Sequence, residues 1–176
     1  YRIEQIHHGT PSGIDNTVIA YAQPIWFVRG QPFEILRVAS PLTLVIADSG
    51  IASPTSAAVQ DVRRLHDLDP ENCEAVFDAI AALTRQARGC IEQGRPDEMG
   101  FLMDENHRLL QRLGVSCPEL DRLTDTARSA GALGAKLIGA GHGGNMIALV
   151  HPSEAETVAQ ALTQAGAVRT IITTIA

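Results

Sequence analysis

The sequence predicts an α+β domain in which helices cover one face of an antiparallel sheet. Short apolar runs typical of strands occur in the first third and the last quarter of the chain, whereas the middle repeats apolar residues with helical spacing. The elements follow in the order hairpin, strand, helices, two strands, helix and strand. With 176 residues, 45% of them hydrophobic, the chain is long enough to bury a core as one domain.

The first third of the chain predicts a hairpin, a buried strand and a helix. Residues 24–28 and 33–38 flank an Arg-Gly-Gln-Pro turn signal, which indicates two short antiparallel strands. Residues 42–48 form a short apolar run that ends at a Ser-Gly pair, as a buried strand does. We expect a helix next, from about residue 54 to residue 68.

The middle of the chain predicts three helices. Apolar residues recur at steps of three and four over 76–91 and again over 99–113, which predicts two antiparallel helices. Asn106 falls on the apolar stripe of the second, where a buried amide needs partners, and His107 beside it is interpreted as a packed or surface side chain. A third helix is expected from Pro118 to Gly131.

The last quarter of the chain predicts the rest of the sheet. Short strands are expected over 135–138 and 146–150, with the glycine loop 139–144 between them. Ser153 or a neighbour should cap a helix that ends at Gln164. The last strand is expected over 168–175.

Charge and cysteine usage exclude several classes of function. A net charge of −6 provides no broad positive field, so binding to nucleic acid or to a membrane surface is disfavoured. Three widely spaced cysteines argue against a disulfide framework and a zinc site, and fit a reducing cytoplasm. No apolar run approaches the roughly 20 residues of a transmembrane helix. Because the chain starts at Tyr1 rather than Met and leads directly into a dense motif, we expect it to be a C-terminal portion of a longer protein.

A glycine-braced turn over 9–16 carries the sharpest chemical signal. Asp15 lies at the end of this segment, near the first turn of a short helix, expected to be buried, over 18–22. A carboxylate held there stays ionised and can accept or orient the proton of a substrate hydroxyl. The alternative is that Asp15 only caps the helix.

Glu4 lies eleven residues before Asp15 and could meet it across the turn. Two carboxylates directed at one point need a cation, and Mg²⁺ takes one or two carboxylates together with phosphate oxygens and water. A solvated surface charge is the alternative for Glu4.

The loop over 139–144 contains enough glycine to bring backbone N–H groups close to an anion. It matches neither a dinucleotide-binding fingerprint nor a P-loop, and a tight turn between two strands is its alternative interpretation. Lys136, the only lysine among 14 basic residues, stands three positions before the loop and could equally be a lone surface charge. Thr55 and its neighbouring serines could hold a substrate or phosphate, or could cap the helix that they precede.

Two motifs resemble those of a known family. Glu4 and the run His8-Gly9-Thr10-Pro11-Ser12-Gly13-Ile14-Asp15 resemble the central motif of the mevalonate kinases, a Glu followed by His-Gly-x-Pro-Ser-Gly-x-Asp at the same spacing. The segment 136–144 resembles the third motif of the GHMP kinases, which include galactokinases, homoserine kinases and phosphomevalonate kinases. Segments 48–55 and 106–116 are also similar to the mevalonate kinases, so the resemblance covers nearly the whole chain.

The resemblance implies a ferredoxin-like C-terminal domain over residues 1–176, of which 1–40 include the end of the region that links to an absent N-terminal domain. It implies ATP- and Mg²⁺-dependent phosphoryl transfer to the primary hydroxyl of mevalonate in cytoplasmic isoprenoid biosynthesis. Asp15 would orient or deprotonate that hydroxyl, and Glu4 would hold the Mg²⁺. The residues that would shape the floor beneath the phosphates and substrate are Gly139, Ala140, Gly141, Gly143 and Gly144. Those expected near the substrate are His8, Ser12 and Thr55.

Departures from the family pattern leave alternatives open. The family's Gly-rich ATP loop belongs to its N-terminal half and nothing here matches it, so the chain alone is expected to be inactive. Ile138 replaces the usual Thr or Ser, and His142 occupies a position often taken by a small residue. The alternatives are another GHMP kinase, acting on phosphomevalonate or a sugar, and a non-catalytic ferredoxin-like ligand-binding module. The face uncovered by the missing half could drive self-association, so a homodimer also stays open.

Overall fold

The computed structural model describes residues 14–52 and 54–176, apart from the side chains of Asp15 and Asn16. Helices and strands occur in the predicted order. They are α1 (Ile14–Tyr21), β1 (Ile25–Trp26), β2 (Glu34–Ile35), β3 (Leu42–Asp48), α2 (Thr55–Leu68), α3 (Pro70–Gln93), α4 (Pro96–Arg112), α5 (Pro118–Ser129), β4 (Gly134–Leu137), β5 (Asn145–Val150), a 3₁₀ turn (Pro152–Glu154), α6 (Ala155–Gln164) and β6 (Arg169–Ile175).

The main sheet is antiparallel and has the strand order β4-β5-β3-β6. In its centre, Val45 of β3 pairs with Ala148 of β5 on one side and with Ile172 of β6 on the other. Strands β1 and β2 pair antiparallel in a separate two-stranded sheet, with Ile25 opposite Ile35. The predicted α+β class and the hairpin are therefore confirmed, although the hairpin strands are shorter than predicted.

One face of the main sheet carries the core. Alternate residues of the strands point to this face because side chains of a strand alternate between its two sides. Val45, Ala47, Met146 and Ala148 are fully buried there, and α5 and α6 cover them with residues such as Leu123, Val158 and Leu162. Each fully buried Val, Leu or Met side chain contributes about 1.5–3 kcal/mol to the free energy of folding.

The other face is only partly covered. Leu42, Leu149 and Met103 form a small second cluster, which brings one side of α4 against this face. Ile171 of β6 lies beyond the cluster and remains 41% exposed. The predicted arrangement, with helices concentrated on one face, is therefore found in the described chain.

Helix α1 differs from the prediction because it is exposed. The fractions exposed are 79% for Ile19 and 41% for Val18. The ring of Tyr21 contacts the ring of Phe33 at a centroid distance of 4.6 Å, which ties the end of α1 to the hairpin. A buried helix needs an apolar surface to pack against, and the described residues place none over most of α1.

Two predicted helix caps are also absent. Pro54 occupies the N-cap position of α2, and no side chain caps this helix, so Thr55 is its first helical residue rather than its cap. Ser153 lies inside the 3₁₀ turn, where its hydroxyl donates to the Glu154 carboxylate at 3.4 Å. Pro54 has no side-chain oxygen with which to cap α2, and Pro152 begins a 3₁₀ turn that places Ser153 before the start of α6.

A glycine contact brings α4 against the edge strand β4. A Cβ atom on Gly134 would lie 1.9 Å from the carbonyl oxygen of Gly100, and one on Gly100 would lie 2.3 Å from that of Leu133. Such distances leave no room for any side chain at either residue. The close approach of the two backbones places the polar residues of α4 within reach of β4.

Candidate functional site

The glycine loop 139–144 connects β4 to β5 and lies between two other segments. The N–H of Gly144 donates to the carbonyl of Ile51 at 2.8 Å, and the N–H of Ser49 donates to the carbonyl of Gly144 at 2.9 Å. On the other side, the N–H of His142 donates to the carbonyl of Val115 at 2.7 Å. The loop is thus held by the segment after β3 and by the connection from α4 to α5.

Glycine is required where the loop meets these segments. A Cβ atom on Gly141 would lie 2.0 Å from the carbonyl oxygen of Val115, and one on Gly143 would lie 2.5 Å from that of Ile51. Both residues also have positive φ angles, of 90° and 143°. Side chains other than hydrogen are excluded at these two positions by both the space and the backbone conformation.

Four backbone donors of the loop have no acceptor within the described part of the chain. They are the N–H groups of Gly139, Ala140, Gly141 and Gly143. Successive N–H groups in a glycine-rich turn can converge on one anion, because they supply partial positive charge without any side chain in the way. The loop therefore has the donors that a phosphate group needs.

A cluster of polar side chains covers the outer edge of β4, the strand that leads into the loop. Asp104 accepts a hydrogen bond from the N–H of Ala135 at 2.8 Å, and His107 accepts one from the N–H of Leu137 at 3.3 Å. The carbonyl of Ala135 accepts from Arg128 at 3.3 Å, and that of Leu137 accepts from Lys136 at 2.8 Å. We call these four side chains the β4 edge cluster; together they satisfy the backbone groups of β4 that face away from β5.

His107 is the buried member of this cluster, with 1% of its surface exposed. Since its Nδ1 accepts the bond from Leu137, the neutral ring carries its proton on Nε2, which lies 3.1 Å from both Asp121 Oδ1 and Thr124 Oγ1. Burial lowers the pKa of His107 below its usual value, against an opposing effect of the Asp121 carboxylate. The imidazole is therefore a neutral structural link between α4, α5 and β4.

The sequence places Asn106 on the apolar stripe of α4 as a buried amide and His107 as a packed or surface side chain, and the structure gives the buried position to His107. His107 is buried and Asn106 is half-buried. The physical reason is the contact with β4, which is made by Gly100 and His107, seven residues apart on one side of α4. That spacing was visible in the sequence, but it becomes informative only when β4 is known to lie there.

Lys136 is half-buried rather than a surface charge. Its burial lowers its pKa from 10.5 to about 8. Among the described residues no carboxylate forms an ion pair with it, and its one acceptor is the carbonyl of Leu137. Burial without a counter-ion disfavours the charged amine.

The structure describes only some of the predicted site residues. Thr55 is exposed at the start of α2, four residues after Ile51, which contacts the glycine loop. Asp15 lies in the first turn of α1, but its side chain is outside the description. Glu4, His8 and Ser12 lie outside the described residues, so their approach to the loop stays a prediction.

The described part of the chain lacks two features, a metal-binding cluster and a membrane-spanning helix. Among residues 14–52 and 54–176, no group of three or more His, Cys, Asp or Glu side chains is arranged to hold a metal ion. Of the helices described, none combines the length and apolar character needed to cross a membrane.

Comparisons with known proteins agree with the motifs. The family model for the C-terminal domain of GHMP kinases matches residues 79–168. The mevalonate kinase of Thermococcus gammatolerans is 39% identical over 171 residues, which cover 94% of this chain and 50% of that protein. That of Aeropyrum pernix is 37% identical over 154 residues, which cover 87% of this chain and 48% of that protein.

A solved structure extends the agreement to three dimensions. The crystal structure of L. major mevalonate kinase in complex with R-mevalonate matches with a TM-score of 0.91 and 32% identity, covering 98% of this chain and 55% of that one. The chain thus spans about half the length of the relatives that it matches. On this evidence the chain belongs to the GHMP kinase family, as its C-terminal domain, and the relatives that it resembles are mevalonate kinases.

Proposed function

We propose that this chain is the C-terminal half of a mevalonate kinase, which transfers a phosphoryl group from ATP to the primary hydroxyl of mevalonate in cytoplasmic isoprenoid biosynthesis. Residues 1–176 form the C-terminal domain, and 1–40 include the end of the link to an N-terminal domain. The observation that carries the proposal is the glycine loop, in which four N–H groups have no acceptor among the described residues, in a chain similar to mevalonate kinases.

The reaction needs a group that handles the proton of the attacking hydroxyl. Asp15 takes this role, because it stands in the first turn of α1, where the helix dipole keeps a carboxylate ionised. It accepts or orients the hydroxyl proton as the oxygen attacks the terminal phosphorus of ATP. We assign to His8, Ser12 and Thr55 the role of orienting the substrate.

The reaction also needs positive potential around the phosphates. The N–H groups of Gly139, Ala140, Gly141 and Gly143 donate to phosphate oxygens, and the carbonyl of Gly144 keeps the end of the loop in place. Glu4 would supply a carboxylate ligand for Mg²⁺, which would neutralise charge on the phosphates when bound. The remaining ligands come from the N-terminal half, so the 176-residue chain alone is expected to fold without turning over ATP.

A competition assay on the full-length protein tests the proposal. Mevalonate, phosphomevalonate, galactose and homoserine are supplied at equal concentration with ATP and Mg²⁺, and kcat/KM is measured for each. We expect the highest value for mevalonate. A higher value for phosphomevalonate or a sugar would identify another GHMP kinase, and absence of phosphorylation with all four would favour a ligand-binding module.

The same assay on the 176-residue chain alone tests whether the active site also needs residues of the N-terminal half. Phosphorylation of mevalonate above background by residues 1–176 would show that the N-terminal half is not needed. Circular dichroism of the same sample checks that the chain is folded, so that inactivity is not mistaken for unfolding.

A further inference from the structure

His142 is the one residue of the glycine loop with a functional side chain, and its backbone is unusual. Its φ angle is 58°, in the left-handed region that residues with a Cβ atom rarely adopt. Such a conformation costs about 1–2 kcal/mol for a residue other than glycine. Glycine would avoid this cost, so the histidine side chain needs a compensating interaction.

The interaction is with the end of α4. The ring nitrogen Nε2 of His142 lies 2.9 Å from the carbonyl oxygen of Gly114, and its backbone N–H donates to the next carbonyl, that of Val115, at 2.7 Å. Carbonyls at the C-terminal end of a helix have no partner within the helix and carry partial negative charge. His142 therefore holds two successive carbonyls beyond α4, one through the backbone and one through the ring.

The second ring nitrogen faces a carboxylate. Nδ1 of His142 lies 3.8 Å from Asp61 Oδ2 on α2, and the other oxygen of Asp61 pairs with Arg64 at 3.2 Å. Because Nε2 must carry a proton to donate to Gly114, the neutral ring has its lone pair on Nδ1. The imidazole thus lies between α2 and the end of α4 and bonds to Gly114 through Nε2, whereas Nδ1 of the neutral ring makes no hydrogen bond with the Asp61 carboxylate, because both atoms are acceptors.

We propose that His142 is a positioning residue for the phosphate-binding loop. Its ring fixes the middle of the loop against the end of α4, and so keeps the N–H groups of Gly141 and Gly143 aligned for a phosphate. His142 itself contacts no substrate in this proposal. The proposal rests on the function proposed above, since that function supplies the phosphate.

The test uses the full-length protein with three variants and Mg·ADP as the probe. His142→Ala removes the ring, whereas His142→Gln places an amide N–H where Nε2 stood. His66→Ala is the matched control, because His66 of α2 also pairs with a carboxylate, Glu74 of α3 at 2.9 Å, away from the glycine loop. Dissociation constants for Mg·ADP, kcat and KM for ATP, and melting temperatures are measured for all four proteins.

We expect His142→Ala to weaken Mg·ADP binding and to raise KM for ATP by roughly tenfold, about the effect of one hydrogen bond. His142→Gln should stay within about threefold of wild type, and His66→Ala should match wild type. A lower melting temperature with unchanged Mg·ADP affinity in His142→Ala would overturn the proposal, because the ring would then serve stability alone. Equal loss of affinity in the Ala and Gln variants would also overturn it.

Hydrogen exchange of the unliganded protein separates this proposal from the proposed function. The amides of residue 142 and Gly144, which donate to Val115 and Ile51, should exchange roughly tenfold faster in His142→Ala than in wild type, while those of β3 stay unchanged. Unchanged exchange in the loop would overturn the proposal even in an active kinase. If wild type neither binds Mg·ADP nor phosphorylates mevalonate, the proposed function is wrong, and the role of His142 in positioning the loop for phosphate is wrong with it. The exchange data then still report whether the His142 ring holds the loop in place.

Discussion

The backbone N–H of Leu137 donates to Nδ1 of His107 at 3.3 Å, so a helix side chain takes the place of a neighbouring strand. Asp104, three residues earlier on α4, likewise accepts a hydrogen bond from the backbone N–H of Ala135. An edge strand with unpaired N–H groups can recruit another chain, and this pairing prevents it. It also links the strand before the glycine loop to α4, whose C-terminal end holds the same loop.

The His107 link predicts a loss of stability in acid. Its pKa is lowered in the folded chain, so the unfolded chain takes up the proton first. The stability that His107 contributes is therefore complete above pH 6.5 and is lost as the pH falls towards its folded pKa. Urea unfolding of the 176-residue chain between pH 7.5 and 5 should show this loss.

His107→Asn provides the comparison for that measurement, since the amide oxygen can still accept from Leu137 and does not titrate. The variant should have a shallower decline in the free energy of unfolding below pH 6.5. Equal declines in both proteins would mean that other groups, such as surface carboxylates, cause the acid effect. His107→Leu should be less stable by about 1–3 kcal/mol at pH 7.5, because it leaves the Leu137 N–H buried and unpaired.

Lys136 should titrate near pH 8 in the folded chain, because its burial lowers the pKa from 10.5 to about 8. As the only lysine, it gives a single Cε signal in NMR of a ¹³C-lysine-labelled sample. The folded pKa lies below the unfolded one, so the free energy of unfolding should rise between pH 8 and 10.5. The denatured chain serves as the control, and a folded midpoint near 10.5 would contradict the burial of the amine.

Substitution by alanine should have opposite effects on stability at two helical glycines. Gly100→Ala forces a Cβ atom to 2.3 Å from the Leu133 carbonyl and should destabilise the chain by about 3 kcal/mol or more, since backbone must move. Gly89→Ala meets only the Gln93 side chain, at 3.8 Å, and should stabilise α3 by about 0.5–1 kcal/mol. Thermal unfolding of both variants decides whether α4 and β4 approach as closely as described.

Asp15→Asn in the full-length protein should lower kcat by about 10²–10⁴-fold with a smaller change in KM. The amide keeps the shape of the side chain and removes the charge that handles the hydroxyl proton. Asp67→Asn, at an exposed position of α2, is the control for loss of one negative charge. Activity of the Asp15 variant within a few-fold of wild type would assign Asp15 to helix capping only.

Glu4→Gln in the full-length protein should raise the Mg²⁺ concentration needed for half-maximal rate, because an amide is a poorer Mg²⁺ ligand than a carboxylate. Raising Mg²⁺ should restore part of the activity. Glu71→Gln, in the exposed first turn of α3, controls for the change in net charge. Identical Mg²⁺ titrations of wild type and the Glu4 variant would leave Glu4 without a ligand role.

The local pattern of the sequence determined the order and type of the elements. The helical repeat over 76–91 and 99–113 and the apolar run over 42–48 lie in helices α3 and α4 and in strand β3. These signals are local, because period and stop residues act within one element. The glycine loop could also be predicted from the sequence, because glycine readily adopts the positive φ angles that the loop contains.

Tertiary structure alone decided which polar residues the fold uses. His107 is buried, and Lys136 is desolvated, because α4 lies along the edge of β4, a contact between segments about 30 residues apart. Ile19 is exposed for the converse reason, that nothing described covers α1. Burial and pairing depend on which surfaces meet, and this is set by the packing of distant segments rather than by the residues next in the chain.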